Sequence, residues 1–208
     1  MVFGRTDEER IHFNEETHWS GGPYTTTVPG AREYLAEIQQ LLFSGQYKKA
    51  HVLFGRRLLG YPVEQQKYQS FGDLILKLPD GDVTDYSHVL DLDTAIATTS
   101  YIKNGVRHVQ EVFASPVDQV IVVHLTAGSP GTLSLNAEMR GYRNSAHSNY
   151  ATDYFRIDGL GSDRLILRGK SADYMGIEGT LRYEAQVHAI ADGGTILRKD
   201  TDLFIEGA

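Results

Sequence analysis

Leu181-Arg182-Tyr183-Glu184-Ala185-Gln186-Val187-His188-Ala189 sets Leu181, Tyr183, Ala185, Val187 and Ala189 against Arg182, Glu184, Gln186 and His188, apolar against polar without a break. Successive side chains of an extended chain point to opposite faces, so this pattern predicts a half-buried antiparallel strand. The same alternation puts Leu133, Leu135, Ala137 and Met139 against Thr132, Ser134, Asn136 and Glu138, and opens upstream with Leu74, Leu76 and Leu78. Asn104-Gly105, between the β-branched run from Ile96 to Ile102 and the segment Val106 to Phe113, predicts a two-residue hairpin, because both turn positions require positive φ. Asp192-Gly193-Gly194 is expected to turn a further hairpin. Val120 to Val123 is apolar at every position, which predicts a strand covered on both faces. Short strands, closely spaced turn signals and no alternating helices make the chain mainly β: an antiparallel β-sandwich of two sheets packed face to face.

Ahead of these strands the period changes. Tyr34, Leu35, Ile38, Leu41 and Leu42 share one face of a 3.6-residue repeat from Gly30 to about Phe43. Ser44-Gly45 interrupts it, and Tyr47, Ala50, Phe54 and Leu58 form a second face from Gln46 to about Leu59, with Gly60 as the expected stop. The reading is a small helical hairpin, residues 30–59, inserted into a single β-sandwich domain spanning 1–208. Gly141 to Asp153, rich in Asn, Ser and Tyr, is the most loop-like interior stretch.

Composition narrows the function classes. The net charge of −7 comes without any basic run, which argues against a nucleic-acid partner, since phosphate recognition needs clustered Lys and Arg. A neutral sugar carries no such penalty. The absence of cysteine removes disulfides, thiolate metal sites and cysteine nucleophiles, and leaves the compartment open, an extracytoplasmic one included. No apolar run approaches the roughly 20 residues of a membrane span, so no membrane partner is expected.

The chain's only tryptophan lies in Asn14-Glu15-Glu16-Thr17-His18-Trp19-Ser20-Gly21-Gly22-Pro23. This block fits the pattern Asn-Glu-x-Thr-x-Trp-x-Gly-Gly-Pro. Further blocks follow in register: Glu37-Ile38 through Leu41-Leu42-Phe43 with Gly45, then Tyr68-Gln69-Ser70-Phe71-Gly72-Asp73-Leu74. Leu90-Asp91-Leu92-Asp93-Thr94-Ala95 comes next, and Glu111-Val112-Phe113-Ala114-Ser115 runs into Asp118 to Val123. Over nearly its whole length the chain resembles the N-terminal domain of glycoside hydrolase family 95, whose characterised members are mainly α-L-fucosidases. The resemblance implies the large sandwich, or super-sandwich, that precedes a helical catalytic barrel, here truncated at both ends and without the barrel. It also implies hydrolysis of a terminal α-linked fucose with inversion, carried by a Glu acid and an Asp base assisted by asparagines, all from the barrel. On that reading the chain holds no catalytic residue and needs no cofactor. Its partners are the barrel and, through the parent, a fucosylated oligosaccharide, and the isolated piece is prone to self-associate.

Glycoside hydrolysis uses two carboxyl groups flanking the scissile bond, which the adjacent Glu15 and Glu16 cannot supply because neighbours on a strand face opposite ways. The residues expected to form a substrate-pocket or interdomain loop are Asn14, Glu15, Thr17, Trp19, Gly21, Gly22 and Gln69. Trp19 offers an aromatic face to a pyranose or packs the loop; Asn14 and Thr17 bond local backbone, and Gly21-Gly22 make the turn. Asp73 is expected to cap the turn leading into a strand, and Gly72 to allow close backbone approach. Gln65 and Gln66 add amides, read as loop solvation. The eight histidines show no metal-binding spacing, and His124 is read as a hydrogen-bonded core histidine. Asp91 and Asp93 are read as strand-face or turn-capping residues with Leu90 and Leu92 inward, not as a calcium loop. A stand-alone carbohydrate-binding sandwich is the alternative, with Trp19 and Tyr24 or Tyr68 as its aromatic platform.

Overall fold

The computed structural model describes residues 1–62, 66–142 and 155–208. Strand β1 (Glu8–Phe13) is followed by a 3-10 turn at Ala31–Tyr34 and helices α1 (Leu35–Phe43) and α2 (Tyr47–Arg57). Then come β2 (Gly72–Lys77), β3 (Val83–Asp91), β4 (Ile96–Lys103), β5 (Val106–Ser115), β6 (Val120–Ala127) and β7 (Leu135–Arg140). The series closes with β8 (Phe155–Leu160), β9 (Arg164–Lys170), β10 (Arg182–His188), β11 (Thr195–Lys199) and β12 (Asp202–Glu206).

All pairing is antiparallel. One sheet runs β1-β2-β7-β12-β11, a second β10-β9-β8, and a third β3-β4-β5-β6. The register of the first sheet aligns Ile11 with Leu74, Leu74 with Met139, Leu76 with Ala137, and Ala137 with Leu203, so these side chains share one face. Leu165 and Leu167 of β9, Tyr183 of β10 and Val112 of β5 join them in one apolar core. The alternation in β7 and β10 thus does what the sequence predicts, and the chain is a β-sandwich whose second layer is built from the two smaller sheets.

The opposite face of the first sheet is polar but closed. Asp73 is almost wholly buried beside Arg10 Nε at 3.0 Å and His12 Nδ1 at 2.8 Å, and Ile75, fully buried, is register partner to Arg10 and Glu138. Long charged side chains cover apolar surface here with their stems. Asp73 is therefore an ion-paired strand residue, not a turn cap. Gly72 keeps its expected close approach, since a Cβ there would sit 3.0 Å from the Arg140 carbonyl.

Asn104 and Gly105 turn the β4–β5 hairpin with φ of 50° and 82°. Gly45, at φ 74°, ends α1 with backbone bonds from Ser44, Gly45 and Gln46 to the last helical carbonyls. Gly60 does not stop α2; it lies against the Thr26 carbonyl, where the hairpin leaves the body. Of the two helices only Ile38 and Ala50 are buried.

Four expectations fail for one reason, that periodicity gives the face but not the neighbours. Val120 and Ile121 are about half exposed because β6 is a sheet edge, not a strand covered on both faces. His124 on the same edge is exposed and pairs with Glu111 at 3.2 Å rather than sitting in the core. Leu90 and Leu92 point to solvent, while Asp91 does cap its turn by accepting from Asp93 and Thr94. Asp192-Gly193-Gly194 links β10 to β11, which belong to different sheets, so it is a crossing between layers and not a hairpin. The loop read at Gly141 to Asp153 lies outside the described residues beyond Tyr142, as does Gln65.

Candidate functional site

The loop that leaves β1 is held at its root by a buried histidine. His18 is wholly inaccessible, with ring centroids 5.5 Å from Phe71 and 4.5 Å from Tyr183. Its backbone carbonyl accepts from the Gln69 N–H at 2.9 Å, and Gln69, also fully buried, accepts from the Ala172 N–H at 2.9 Å through its side-chain oxygen. Neither His18 ring nitrogen, nor Gln69 Nε2, nor the Tyr183 hydroxyl makes a hydrogen bond of normal geometry among the described residues. Burial pushes the His18 imidazole below its ordinary pKa, the Glu15 carboxylate and the Gln69 carbonyl acting the other way to a smaller extent. Burial likewise drives the Tyr183 hydroxyl up to about 12.

Next to this anchor, Trp19 forms an isolated antiparallel bridge with Tyr68, and their rings meet edge to face at 5.3 Å. The indole N–H donates to the Glu16 carbonyl at 2.8 Å, fixing the ring on its own loop. Trp19 is half-buried and Tyr68 is exposed, so the pair presents aromatic surface at the rim of the sandwich. Tyr24 has no ring contact with Trp19.

The following residues lock the loop onto two other segments. Ser20 N–H donates to the Lys67 carbonyl at 2.8 Å and Gly21 N–H to the Ala172 carbonyl at 2.7 Å; the Gly21 carbonyl accepts from Ser171 and Thr180, and that of Gly22 from Gln66. Gly21 has φ 69°, which an L side chain rarely adopts. At Gly22 a Cβ would lie 2.6 Å from Thr180 Oγ1 and 2.9 Å from the Glu178 carbonyl, so the glycine permits the close approach.

The polar residues ahead of Trp19 are exposed. Glu15 accepts from both the backbone N–H and the hydroxyl of Thr17, so its carboxylate closes the turn; Asn14 accepts from the Phe71 N–H at 3.4 Å, a contact across the fold and not a local one. The structure thus gathers Asn14, Glu15, Thr17, Trp19, Gly21, Gly22 and Gln69 around one loop, with Gln69 beneath it. Gln66 bonds the loop and is not merely solvated. Sequence reasoning missed His18 and the 171–180 segment; of the two tyrosines it offered as aromatic partners of Trp19, the structure selects Tyr68. Only the position of His18 inside the Asn14 to Pro23 block signalled it. Among the described residues no cluster of three or more His, Asp or Glu could hold a metal ion, and no helix is long and apolar enough to cross a membrane.

An antiparallel β-sandwich bearing an anchored aromatic loop at its rim is the class of protein that fold and site define. The chain belongs to the family described as glycosyl hydrolase family 65, N-terminal domain, whose model matches residues 1–208. It is similar to alpha-L-fucosidase 2 of Arabidopsis thaliana, 36% identical over 137 residues, which are 64% of this chain and 16% of that protein. It is also similar to probable alpha-fucosidase A of Aspergillus oryzae, 29% identical over 144 residues, 64% of this chain and 19% of that protein. The match therefore spans less than a fifth of either relative's length.

Proposed function

We propose that the chain is the N-terminal domain, one structural unit over residues 1–208, of an inverting α-L-fucosidase of the family-95 type, and that it supports and partly walls the active site of a helical catalytic barrel. The observation that carries this reading is the fixed Trp19–Tyr68 pair at the sandwich rim, held by hydrogen bonds and a buried histidine and still offering aromatic surface. The motif blocks and the names of the fucosidase relatives support the fucosidase branch within the broader family. Asn14, Glu15 and Thr17 edge the loop as polar groups facing sugar or barrel, while Gly21, Gly22 and Gln69 hold it in place. Acid and base chemistry falls to the barrel, because Glu15 is engaged with Thr17 and its neighbour Glu16 offers no convergent partner.

The test is the full-length polypeptide with Trp19→Ala and, separately, Glu16→Gln, reading kcat/KM on a fucoside together with melting curves. Truncating a fully buried aromatic costs about 3–5 kcal/mol, and the half-buried Trp19 less. Trp19→Ala should lower kcat/KM or domain docking while Glu16→Gln changes little; the reverse outcome at unchanged stability hands the role to the carboxylate. The exposure of Tyr68 favours one second reading, a stand-alone carbohydrate-binding sandwich. Calorimetric titration of the isolated chain with fucosylated oligosaccharides separates the two, since a supporting domain binds them only very weakly by itself.

A further inference from the structure

A cavity of about 520 Å³ opens between the layers of the sandwich. Its floor is contributed by Leu74, Leu76, Leu135, Ala137 and Ile205, alternate residues that belong to the apolar face of the five-stranded sheet. Its walls are different in kind. Residues 123–127 of β6 line it consecutively, and so do residues 186–192 at the end of β10 and beyond. A strand that turns a face to a cavity contributes every second residue, so consecutive lining means that a strand edge, with its backbone N–H and C=O groups, is presented.

Among the described residues both strands are edges: β6 pairs only with β5 and β10 only with β9. No backbone group of residues 120–127 bonds outside that pairing among the described residues. The two ends of the four-stranded sheet contrast sharply. β3 is protected by a bulge between Thr84 and Ser87, a positive φ at Asp85 and its aspartates. β6, reading Val-Ile-Val-Val-His-Leu-Thr-Ala, has no charge other than what His124 can carry, no proline and an unbroken register. An apolar edge left so open is a template for another strand.

We propose that the cleft between β6 and β10 receives a single extended segment of the same hydrolase polypeptide, from outside this chain, that hydrogen-bonds to the β6 edge and lays apolar residues at alternate positions on the floor. The proposal rests on the reading of the chain as one part of a longer enzyme, for which the relatives' much greater length is the support. With β6 and β10 both lining the cleft, the edge of a second copy would bring its whole sheet against β10, whereas a single segment would not. The segment would join the two smaller sheets into one continuous layer.

Hydrogen exchange on the 208-residue chain and on the full-length polypeptide tests this directly. Residues 120–127 should exchange about 100-fold more slowly in the full polypeptide, with the β3 edge unchanged in both. Ile121→Lys, at a position half exposed in the chain, should leave the chain's melting temperature unaltered and lower that of the full polypeptide. Equal exchange of β6 in the two proteins overturns the inference, and so does protection in the isolated chain that grows with concentration, which assigns the edge to a second copy. If β6 stays unprotected while Trp19→Ala still impairs turnover, the strand inference falls alone. Protection of β6 with a silent Trp19→Ala leaves the inference standing and removes the walling role. A polypeptide with nothing outside these residues ends both.

Discussion

Acidifying the chain from about pH 8 to pH 5.5 should destabilise it through His18, and the sign follows from burial. The unfolded imidazole titrates at the ordinary value of 6.5, whereas burial lowers the folded one. Above 6.5 both states are neutral there and the full stability is present. As the pH falls from 6.5 through the folded value, the unfolded chain takes up a proton that the folded chain refuses, so stability is lost, by up to about tenfold in the folding equilibrium constant per pH unit for one such group. Below the folded value the loss levels off. The groups facing His18 offer little relief: Phe71 and Tyr183 flank the ring, Glu15 is solvent-exposed, and the Gln69 carbonyl is the weakest of the opposing influences. His108, also lowered by burial and next by the Lys103 charge, adds a slope of the same sign.

The experiment compares urea unfolding of the wild-type chain and His18→Leu at several pH values in this window. Trp19 is the only tryptophan, so its fluorescence reports the loop while far-UV circular dichroism reports the sheets. The wild type should lose stability on acidification, and His18→Leu, which keeps an apolar side chain between Phe71 and Tyr183, should lose less because only the His108 contribution remains of the two. Parallel pH slopes in the two proteins, or a wild type that gains stability on acidification, would refute the argument that the loop is anchored by a buried neutral imidazole.

Two further outcomes follow from the same geometry. Gly22→Ala should cost about 1–3 kcal/mol by overpacking, read as a shift in the urea midpoint, and Thr180→Ala should rescue it only in part, because the Glu178 carbonyl remains 2.9 Å from the added Cβ. Full rescue would mean that the backbone contact carries no weight. The helical hairpin bears exposed Leu35, Leu42, Phe43, Tyr47 and Phe54, with five basic against two acidic residues over 30–59 in a chain of net charge −7. The isolated chain should therefore self-associate in a salt-sensitive manner, and Phe43→Ser with Tyr47→Ser should weaken this in light scattering; a strict monomer at high concentration excludes it.

Much of the architecture was already written in local pattern. Period-two alternation in β7 and β10 placed Leu135, Ala137, Met139 and Tyr183 inward, Asn104-Gly105 set its hairpin, and the 3.6-residue repeat placed both helices, because each of these depends on residues that are neighbours in sequence. The Asn14 to Pro23 block marked the candidate loop for the same reason: its glycines and its tryptophan act within a few residues of one another. What only the tertiary structure decided is which strands lie at edges, and which side chains from distant segments meet. Val120 to Val123 is as apolar as any central strand, yet among the described residues β6 has one neighbour, and apolar content alone cannot report how many neighbours a strand has. His18 belongs to an outwardly polar motif, and it is buried because Phe71 and Tyr183, remote in sequence, close over it. Asp73 read as a turn cap until Arg10 and His12 were brought beside it by the β1–β2 register. Faces are fixed by the geometry of a single strand, whereas edges, buried charges and unpaired polar atoms are fixed by partners that the chain recruits from elsewhere.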